Sequence, residues 1–193
     1  MEHAKAVRES ELFFRQWLRS PRSMGSIIPS SRALARSVAK EVAWQPGWYV
    51  VELGGGTGAI TSGLIEAGIP RERLVVLELD RALYEYLRER LTGVLVVQGD
   101  ATRLDEILER LGVREVSTVV SGLPMIGMPE AFKRAIVEQG FRALAGQGHM
   151  LQYSYSPICP VPARQLGIRA RIVRTVPWNV PPAYVWRYDR LDG

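Results

Sequence analysis

The chain has 193 residues, of which 47% are hydrophobic and 23% charged, a composition that fits one globular domain and excludes a disordered segment. Its net charge of +5 favours an anionic partner, and its single cysteine, Cys159, excludes an internal disulfide framework. No apolar run reaches the roughly 18 residues that a membrane span needs, and the charged residues near the N-terminus do not fit a signal peptide.

The N-terminal segment, residues 1–44, is predicted to be helical and to serve as a membrane or substrate lid. A helix over 6–19 would carry aromatic side chains on one face and arginines on the other, as helices at a membrane surface do. A helix that packs on the domain core is an equal alternative. A second helix is predicted over 31–42, after two serines that could cap it or close over a ligand. The predicted membrane- or substrate-binding residues of this segment are Phe13, Phe14, Arg15, Trp17, Arg19, Arg22, Ser30 and Ser31.

Strand and helix patterns alternate from residue 48 onwards, within a predicted domain over 45–193. This alternation predicts an α/β fold with a mostly parallel sheet that is covered by helices on both faces. The last two strands follow each other without a full helix between them, so we expect an antiparallel pair at one edge of a seven-stranded sheet. The predicted strands are 48–53, 74–79, 94–98, 117–121, 148–153, 168–176 and 183–188, and the predicted helices are 57–66, 81–91, 104–111 and 129–145.

Glycines alternate directly after the first strand, at Gly54, Gly56 and Gly58. Such a cluster usually allows the backbone to approach a ligand at the carboxyl end of a strand. With Ala59 the spacing also fits the dinucleotide fingerprint, which is weak evidence when it stands alone. Glu52 argues against a dinucleotide, because a buried strand would carry an apolar side chain there and a carboxylate needs a donor or a cation.

Two further carboxylates follow at the ends of the next strands. Glu78 lies near the end of the second strand, and Asp100 comes directly after the third. Together with Glu52 they would suit a ligand that has a ribose, an adenine amine and a positive charge. No second glycine-rich turn or basic cluster is present for a pyrophosphate, which further disfavours NAD. Helix capping is the alternative role for Asp100, and a surface position is the alternative for Glu78.

These motifs resemble those of the class I S-adenosylmethionine-dependent methyltransferases, whose cofactor carries all three groups. Residues 52–58 are similar to the glycine motif of the family, and Glu78-Leu79-Asp80 and Gly99-Asp100-Ala101 are similar to its next two motifs. The resemblance covers about residues 45–190 and implies a Rossmann-like fold, with S-adenosyl-L-methionine as cofactor and S-adenosyl-L-homocysteine as product. It implies contacts from the glycine loop to the methionine part, from Glu52 to the ammonium, from Glu78 to the ribose and from Asp100 to the adenine. The cofactor-binding residues that it implies are Glu52, Gly54, Gly56, Gly58, Glu78, Leu79, Asp100, Ala101, Ser121 and Leu123.

One similar branch is the ribosomal RNA adenine dimethyltransferases, which carry Asn-Leu/Ile-Pro-Tyr after the fourth strand. There the asparagine side chain and the next carbonyl hold the adenine amine, and an aromatic side chain stacks on the base. The matching stretch here is Gly122-Leu123-Pro124-Met125, which lacks both the asparagine and the aromatic. The chain also ends at residue 193, without the additional helical RNA-binding domain of that branch. Both differences disfavour a flipped base as the substrate.

The bacterial phospholipid N-methyltransferases resemble this chain more closely. Shared features are the amphipathic N-terminal helix, an Ile-x-Pro-Ser-Ser-like segment, Gly-Leu-Pro with Pro124 in a substrate-binding position, and the run Gln152-Tyr153-Ser154-Tyr155. The resemblance implies methyl transfer to the amine of phosphatidylethanolamine and its methylated derivatives. Tyr153 and Tyr155 are the candidate catalytic residues, because aromatic faces favour an amine that becomes cationic. Core packing of one tyrosine is the alternative, and a structural role is expected for His149.

The same resemblance implies a cytoplasmic enzyme that associates peripherally with the inner face of the cytoplasmic membrane. Its expected partners are an anionic phospholipid surface and phosphatidylethanolamine, with no nucleic acid, no metal and no obligate protein partner. Two other interpretations stay open. One is an RNA base methyltransferase, which the net charge of +5 supports. The other is a membrane-associated protein that binds the cofactor without catalysis.

Overall fold

A computed structural model describes residues 31–191, which form a seven-stranded sheet with helices on both faces. The strands are β1 (Tyr49–Leu53), β2 (Leu74–Glu78), β3 (Leu95–Gln98), β4 (Val116–Ser121), β5 (Leu144–Ser154), β6 (Ile168–Val176) and β7 (Ala183–Arg190). The helices are α1 (Arg32–Ala39), α2 (Ala59–Glu66), α3 (Arg81–Arg90), α4 (Leu104–Leu111) and α5 (Glu130–Ala143), with short 3-10 turns at Arg71–Arg73 and Ala101–Arg103. Within these residues no helix is both long enough and apolar enough to span a bilayer.

The sheet has the strand order β3-β2-β1-β4-β5-β7-β6. Strands β1 to β5 are parallel, and β7 runs antiparallel to both β5 and β6. The predicted Rossmann-like sheet with an antiparallel pair at its edge is therefore confirmed. Because β1 to β6 all point the same way, the loops that follow them lie along one border of the sheet, here called the carboxyl edge. The strand order reverses between β1 and β4, and ligands of such sheets bind at this point.

Buried apolar side chains cover both faces of the sheet. Strand β1 shows the alternation: Val51 and Leu53 pack with the residues of α4 and α5, whereas Val50 packs with those of α1 and α2. Helix α3 covers β2 on the α1–α2 side, where Leu87 contacts Val76. These apolar strands are buried on both faces, as the sequence predicts for a parallel sheet.

Helix α1 packs closely on α2 at Gly63. A Cβ atom at this glycine would lie 2.5 Å from the Cβ of Ala35, so the two helices approach nearly backbone to backbone. The side chain of Ser31 accepts a hydrogen bond of 3.1 Å from the amide of Leu34 and caps α1. The sequence assigned this helix to the segment 1–44, yet it is part of the core of the sheet domain, since Leu34 is fully buried. Residues 1–30 lie outside the described range, and the boundary at 44 therefore stays a prediction.

We expect Gly63→Val to lower the free energy of unfolding by about 1–3 kcal/mol, because an added side chain overpacks the contact between α1 and α2. Ser62→Val is the matched control, since Ser62 is an exposed neighbour on the same helix. Urea unfolding followed by circular dichroism measures both. An equal change in the two variants would contradict the close contact.

The junction between α5 and β5 differs from the sequence prediction. A helix to residue 145 and a strand from 148 were expected, but α5 ends at Ala143 and β5 begins at Leu144. Gly146 has a φ of +50°, and a Cβ atom at Gly148 would lie 2.9 Å from the carbonyl oxygen of Ser117. The two glycines let the chain join the sheet early, with a shift of register against β4 before it pairs regularly.

Candidate active site

The glycine loop between β1 and α2 lies at the carboxyl edge. Gly54 and Gly56 have φ values of +78° and +54°, a backbone conformation that other residues rarely adopt. The space beside Gly56 is open, whereas a Cβ atom at Gly54 would lie 2.9 Å from Leu123 Cδ2. Gly58, with a φ of +78°, begins α2. Gly55, which the alternating pattern did not single out, is required for packing because its Cβ atom would lie 2.4 Å from Val76 Cγ1.

Glu78 holds this loop in place. Its Oε2 accepts a hydrogen bond of 2.9 Å from the amide of Gly56, and its Oε1 accepts one of 3.0 Å from the amide of Asp80. The side chain is only 2% exposed, so the surface position considered for Glu78 is wrong. Burial raises the pKa of Glu78, and the backbone amides oppose that shift. The predicted contact with the ribose stays a prediction.

Glu52 lies beneath the loop, on the α1–α2 face of the sheet. Its Oε2 accepts a hydrogen bond of 2.6 Å from the hydroxyl of Thr61 on α2, and its Oε1 is buried with no protein partner among the described residues. Burial raises the pKa of Glu52 from its ordinary value of 4.5 to about 8, with Glu78 adding to the shift and Thr61 opposing it. The orphaned oxygen fits a group that brings a donor or a positive charge to this loop.

Asp100 has the capping role that the sequence considered, and its contact with the adenine stays a prediction. Its Oδ1 accepts a hydrogen bond of 2.8 Å from the amide of Thr102 and caps the turn Ala101–Arg103. The same residue also lines a pocket at the carboxyl edge. Capping fixes the carboxylate at the pocket wall, where it could accept a hydrogen bond from an amine.

The pocket lies between the ends of β1 to β4 and the beginning of α5. It encloses about 540 Å³, including its open mouth, and Asp100 is the one charged residue among those that line it. An apolar slot with one carboxylate suits a flat heteroaromatic ring that carries an amine. The predicted residues that line it are Gly54, Leu79, Asp100, Ala101 and Leu123, and the residues that the sequence interpretation missed are Leu77, Gly99, Thr102, Met128, Phe132 and Ile136.

Three of the missed residues carried a usable signal. Phe132 and Ile136 are spaced by four and lie on one face of α5, and Met128 lies two residues before the helix begins. The apolar character of these three residues is visible in the sequence, but only the position of α5 beside β4 shows that they face a pocket.

Gly122 connects the pocket to the tyrosines. A Cβ atom at this glycine would lie 2.2 Å from the hydroxyl oxygen of Tyr153 and 3.1 Å from the carbonyl oxygen of Gly54. The Tyr153 hydroxyl thus occupies the space that any side chain at position 122 would need. The pocket, the glycine loop and Tyr153 therefore form one continuous site at the carboxyl edge.

The loop after β4 is fixed by hydrogen bonds to side chains of β4 itself and of its neighbour β5. The Oγ of Ser121 accepts a bond of 3.4 Å from the amide of Leu123, so Ser121 shapes the loop and is not among the residues that line the pocket. The Nε2 of Gln152 donates to the carbonyl oxygens of Leu123 and Tyr153, at 3.0 and 2.8 Å. Pro124 follows and is half-buried.

The remaining candidate residues that the structure describes do not line the pocket. Tyr153 and Tyr155 both pack against the apolar cluster of α1 and α2, and Tyr155 lies just beyond the end of β5. The Nε2 of His149 lies 2.9 Å from the carbonyl oxygen of Glu41, which supports its structural role. Ser30 and the aromatic and basic candidates of the first helix lie outside the described residues. No group of side chains in 31–191 could hold a metal ion.

Sequence comparisons relate this chain to known methyltransferases. Residues 18–124 match the family described as ribosomal RNA adenine dimethylase. The ornithine lipid N-methyltransferase of Singulisphaera acidiphila is 34% identical over 154 residues, which cover 78% of this chain and 80% of that protein. The ribosomal RNA small subunit methyltransferase A of Thermotoga petrophila is 30% identical over 74% of this chain but only 57% of its own length.

The fold is also that of solved methyltransferase structures. The glycopeptide N-methyltransferase MtfA matches with a TM-score of 0.62 and 16% identity, over 85% of this chain and 98% of that one. Its complex with S-adenosyl-L-methionine matches with a TM-score of 0.54 and 20% identity, over 88% of this chain and 72% of that one. At such identities the likeness concerns the fold.

Proposed function

We propose that this chain, which belongs to the ribosomal RNA adenine dimethylase family within the class I S-adenosylmethionine-dependent methyltransferases, methylates the amine of a lipid headgroup. S-adenosyl-L-methionine is its cofactor. The acceptor that the sequence favours is phosphatidylethanolamine with its methylated derivatives, and the relative named for ornithine lipid points to the same class of amine-bearing lipid.

The contact between Gly122 and Tyr153 is the observation that carries this proposal. An asparagine at position 122 would be needed to hold an adenine amine in the manner of the RNA branch, and the Tyr153 hydroxyl fills its place. The carbonyl of Leu123, which would supply the second acceptor, receives a hydrogen bond from Gln152, which leaves one of its two lone pairs for an adenine amine. A small aliphatic amine does not need the asparagine, and the Tyr153 hydroxyl that takes its place could orient such an amine instead.

Different residues of the chain would order the glycine loop, bind the cofactor and orient the amine in such a reaction. Glu78 orders the glycine loop, and Asp100 with the apolar pocket would hold the adenosine end of the cofactor. When bound, the cofactor supplies an electrophilic methyl group on its sulfonium. Tyr153 would orient the neutral amine toward that methyl, and positioning of this kind provides much of the rate gain in methyl transfer. The ring of Tyr153 would then stabilise the product, whose nitrogen carries a positive charge after methylation.

Methylation of an RNA base is the second candidate, which the matching family description and the Thermotoga relative favour. The chain spans 57% of that relative's length, so the match reaches only part of it. The geometry at Gly122 and Tyr153 ranks this candidate below the lipid amine.

We also propose that the enzyme acts at the inner face of the cytoplasmic membrane, as a peripheral protein. The amphipathic pattern over 6–19 supports this location, because arginines near an anionic surface contribute about 1 kcal/mol each.

A headgroup series tests the proposed reaction. The full chain and S-adenosyl-L-methionine are incubated with vesicles that contain phosphatidylethanolamine, ornithine lipid or phosphatidylcholine, and the lipids are analysed by mass spectrometry. We expect added methyl groups on one or both amine-bearing lipids and none on phosphatidylcholine, whose nitrogen is already quaternary. Unmodified lipids in all three samples would contradict the proposal.

Asp100→Asn should weaken cofactor binding about tenfold, because an amide keeps the cap but gives a weaker hydrogen bond to the adenine amine. Asp105→Asn, an exposed carboxylate on the next helix, is the control. Isothermal titration with S-adenosyl-L-methionine measures both. Equal affinities would remove Asp100 from the cofactor site.

Tyr153→Phe and Tyr155→Phe should each lower kcat about tenfold or more, with little change in the affinity for the cofactor. The reason is that each hydroxyl would help to place the amine, whereas the ring would still pack. Tyr86→Phe, on the exposed side of α3, serves as the control. If kcat is unchanged in both variants, the tyrosines act only in packing.

A further inference from the structure

Three stretches that directly follow β4, β5 and β6 at the carboxyl edge carry no charge; the first charged residue after the second of them is Arg164. The stretches 122–129, 155–163 and 177–182 contain 23 residues and not one Asp, Glu, Lys or Arg, in a chain of which 23% is charged. At that frequency about five charged residues would be expected. All three stretches border the half of the sheet formed by β4, β5, β7 and β6, on the Tyr153 side of the cofactor pocket.

The opposite border of the sheet has the usual character of a protein surface. Its loops lead into β1, β2 and β4, and they contain both acidic and basic side chains. These are Lys40, Glu41, Arg71, Glu72, Arg73, Arg114 and Glu115. The absence of charge is therefore confined to the half of the carboxyl edge that follows β4, β5 and β6, since Asp80 and Asp100 lie in its other half.

The same three stretches hold the most exposed large apolar side chains of the described residues. Trp178 is 89% exposed, Val180 82%, Ile158 74% and Ile126 52%. Water contact of this extent is unfavourable for each side chain, and four of them on uncharged loops at one border mark a contact surface.

The hairpin between β6 and β7 presents the two most exposed of these residues from an ordered tip. Asn179 lies between them and is buried; its Nδ2 donates to the carbonyl oxygen of Pro181 at 2.7 Å, and its amide donates to that of Val176 at 3.2 Å. Trp178 and Val180 thus point outward from a turn whose backbone is fixed by its central residue.

We propose that this border, led by Trp178 and Val180, inserts into the interfacial layer of a phospholipid bilayer. The surface is called the insertion border below, and the inference rests on the proposed function. Tryptophan prefers the headgroup level of membranes, where its apolar ring and its N–H are both satisfied. Charged side chains would oppose entry into this layer, and the stretches 122–129, 155–163 and 177–182 have none.

The position of the insertion border relative to Tyr153 explains why a bilayer fits better than a protein partner. Val185 of β7 pairs with Tyr153, and the hairpin that carries Trp178 ends only three residues before Val185. A lipid amine can reach Tyr153 while its acyl chains stay in hydrocarbon only if the bilayer meets the protein at this border. The apolar residues also sit on separate loop tips, which suits insertion more than a flat protein interface does.

The test measures binding of the full chain to vesicles of phosphatidylethanolamine and phosphatidylglycerol, without cofactor. The double variant Trp178→Ser with Val180→Ser should reduce vesicle partitioning about tenfold or more, and Trp178→Glu should do so by itself. Leu111→Ser is the matched control, because Leu111 is 39% exposed at the opposite border, where α4 ends. It should bind vesicles like the unaltered chain.

Activity measurements separate this inference from the proposed function. The double variant should lose methylation of vesicle lipids but should methylate a water-soluble, short-chain lipid with the same headgroup within about twofold of the unaltered chain. Unchanged vesicle binding in the double variant and in Trp178→Glu would overturn the insertion border, even if lipids are methylated. Loss of binding in these variants, with no methylation of either lipid by the unaltered chain, would support the insertion border and reject the proposed function.

Discussion

Glu52→Gln is expected to make the folded protein more stable than the unaltered chain at pH 8, by several kcal/mol. Glu52 is buried beneath the glycine loop, and burial raises the pKa of its carboxyl from 4.5 to about 8. Glutamine keeps an oxygen that can accept the hydrogen bond of Thr61, but it has no charge to bury.

The sign of this effect follows from the direction of the pKa shift. The folded state holds the Glu52 proton more tightly than the unfolded chain, so the stabilisation is complete below pH 4.5 and is lost as the pH rises toward about 8. Over that range the loss is on the order of 5 kcal/mol. Glu78, whose pKa is also raised by burial, acts in the same direction, and His149, whose burial lowers its pKa, acts at acidic pH. Both remain in the variant, so the difference between the two proteins reports the burial of Glu52 together with its repulsion from Glu78.

Urea unfolding between pH 5 and pH 9 measures this difference. The gap between variant and unaltered chain should widen as the pH rises, and Glu66→Gln, an exposed carboxyl on α2, should leave the curve unchanged. If the free energies of unfolding of Glu52→Gln and of the unaltered chain differ by the same amount at every pH, the burial of the Glu52 charge is contradicted. If Glu52 binds the ammonium of the cofactor, as the sequence predicts, the same variant should bind S-adenosyl-L-methionine more weakly despite its greater stability.

The second large effect is expected from Gly122→Asn, which should lower turnover of the lipid amine about a hundredfold. The added side chain begins 2.2 Å from the Tyr153 hydroxyl, so the tyrosine must leave its position. The variant should not gain activity on RNA, because Met125 still stands where the RNA branch has the aromatic side chain that stacks on the base.

A double-variant cycle with Tyr153→Ala shows whether the clash is the cause. Gly122→Asn should destabilise the unaltered chain by about 1–3 kcal/mol but should cost much less in a Tyr153→Ala background, where the space beside residue 122 is vacant. Turnover should stay low in the double variant. A Gly122→Asn protein with unaltered turnover would show that Tyr153 does not depend on this glycine.

The fold could be predicted from the sequence because its signals are local. Each buried strand is a short apolar run, and the bounds of β6, Ile168–Val176, match the predicted strand. The end of α5 was misplaced because the register of 145–148 depends on how Gly148 meets Ser117 on a neighbouring strand. No pattern within those residues contains that information.

The candidate site could be predicted in part, for the same reason. The residue types at 52, 78 and 100 indicated a cofactor, but the contacts of the two glutamates depend on packing. The bond from Gly56 to Glu78 exists only once β1 and β2 are paired, and the bond from Thr61 to Glu52 only once α2 packs on β1. The missing asparagine at position 122 was visible in the sequence, whereas the hydroxyl of Tyr153 in its place was not.

The most direct test of the account is a competition for methyl groups in a single tube. The full chain is given S-adenosyl-L-methionine with a labelled methyl group, vesicles that contain phosphatidylethanolamine and ornithine lipid, and ribosomal RNA at comparable concentration, and the label in each fraction is counted. The account predicts that the label appears on the lipid amine and that RNA stays at background. Label on RNA with none on lipid would contradict it.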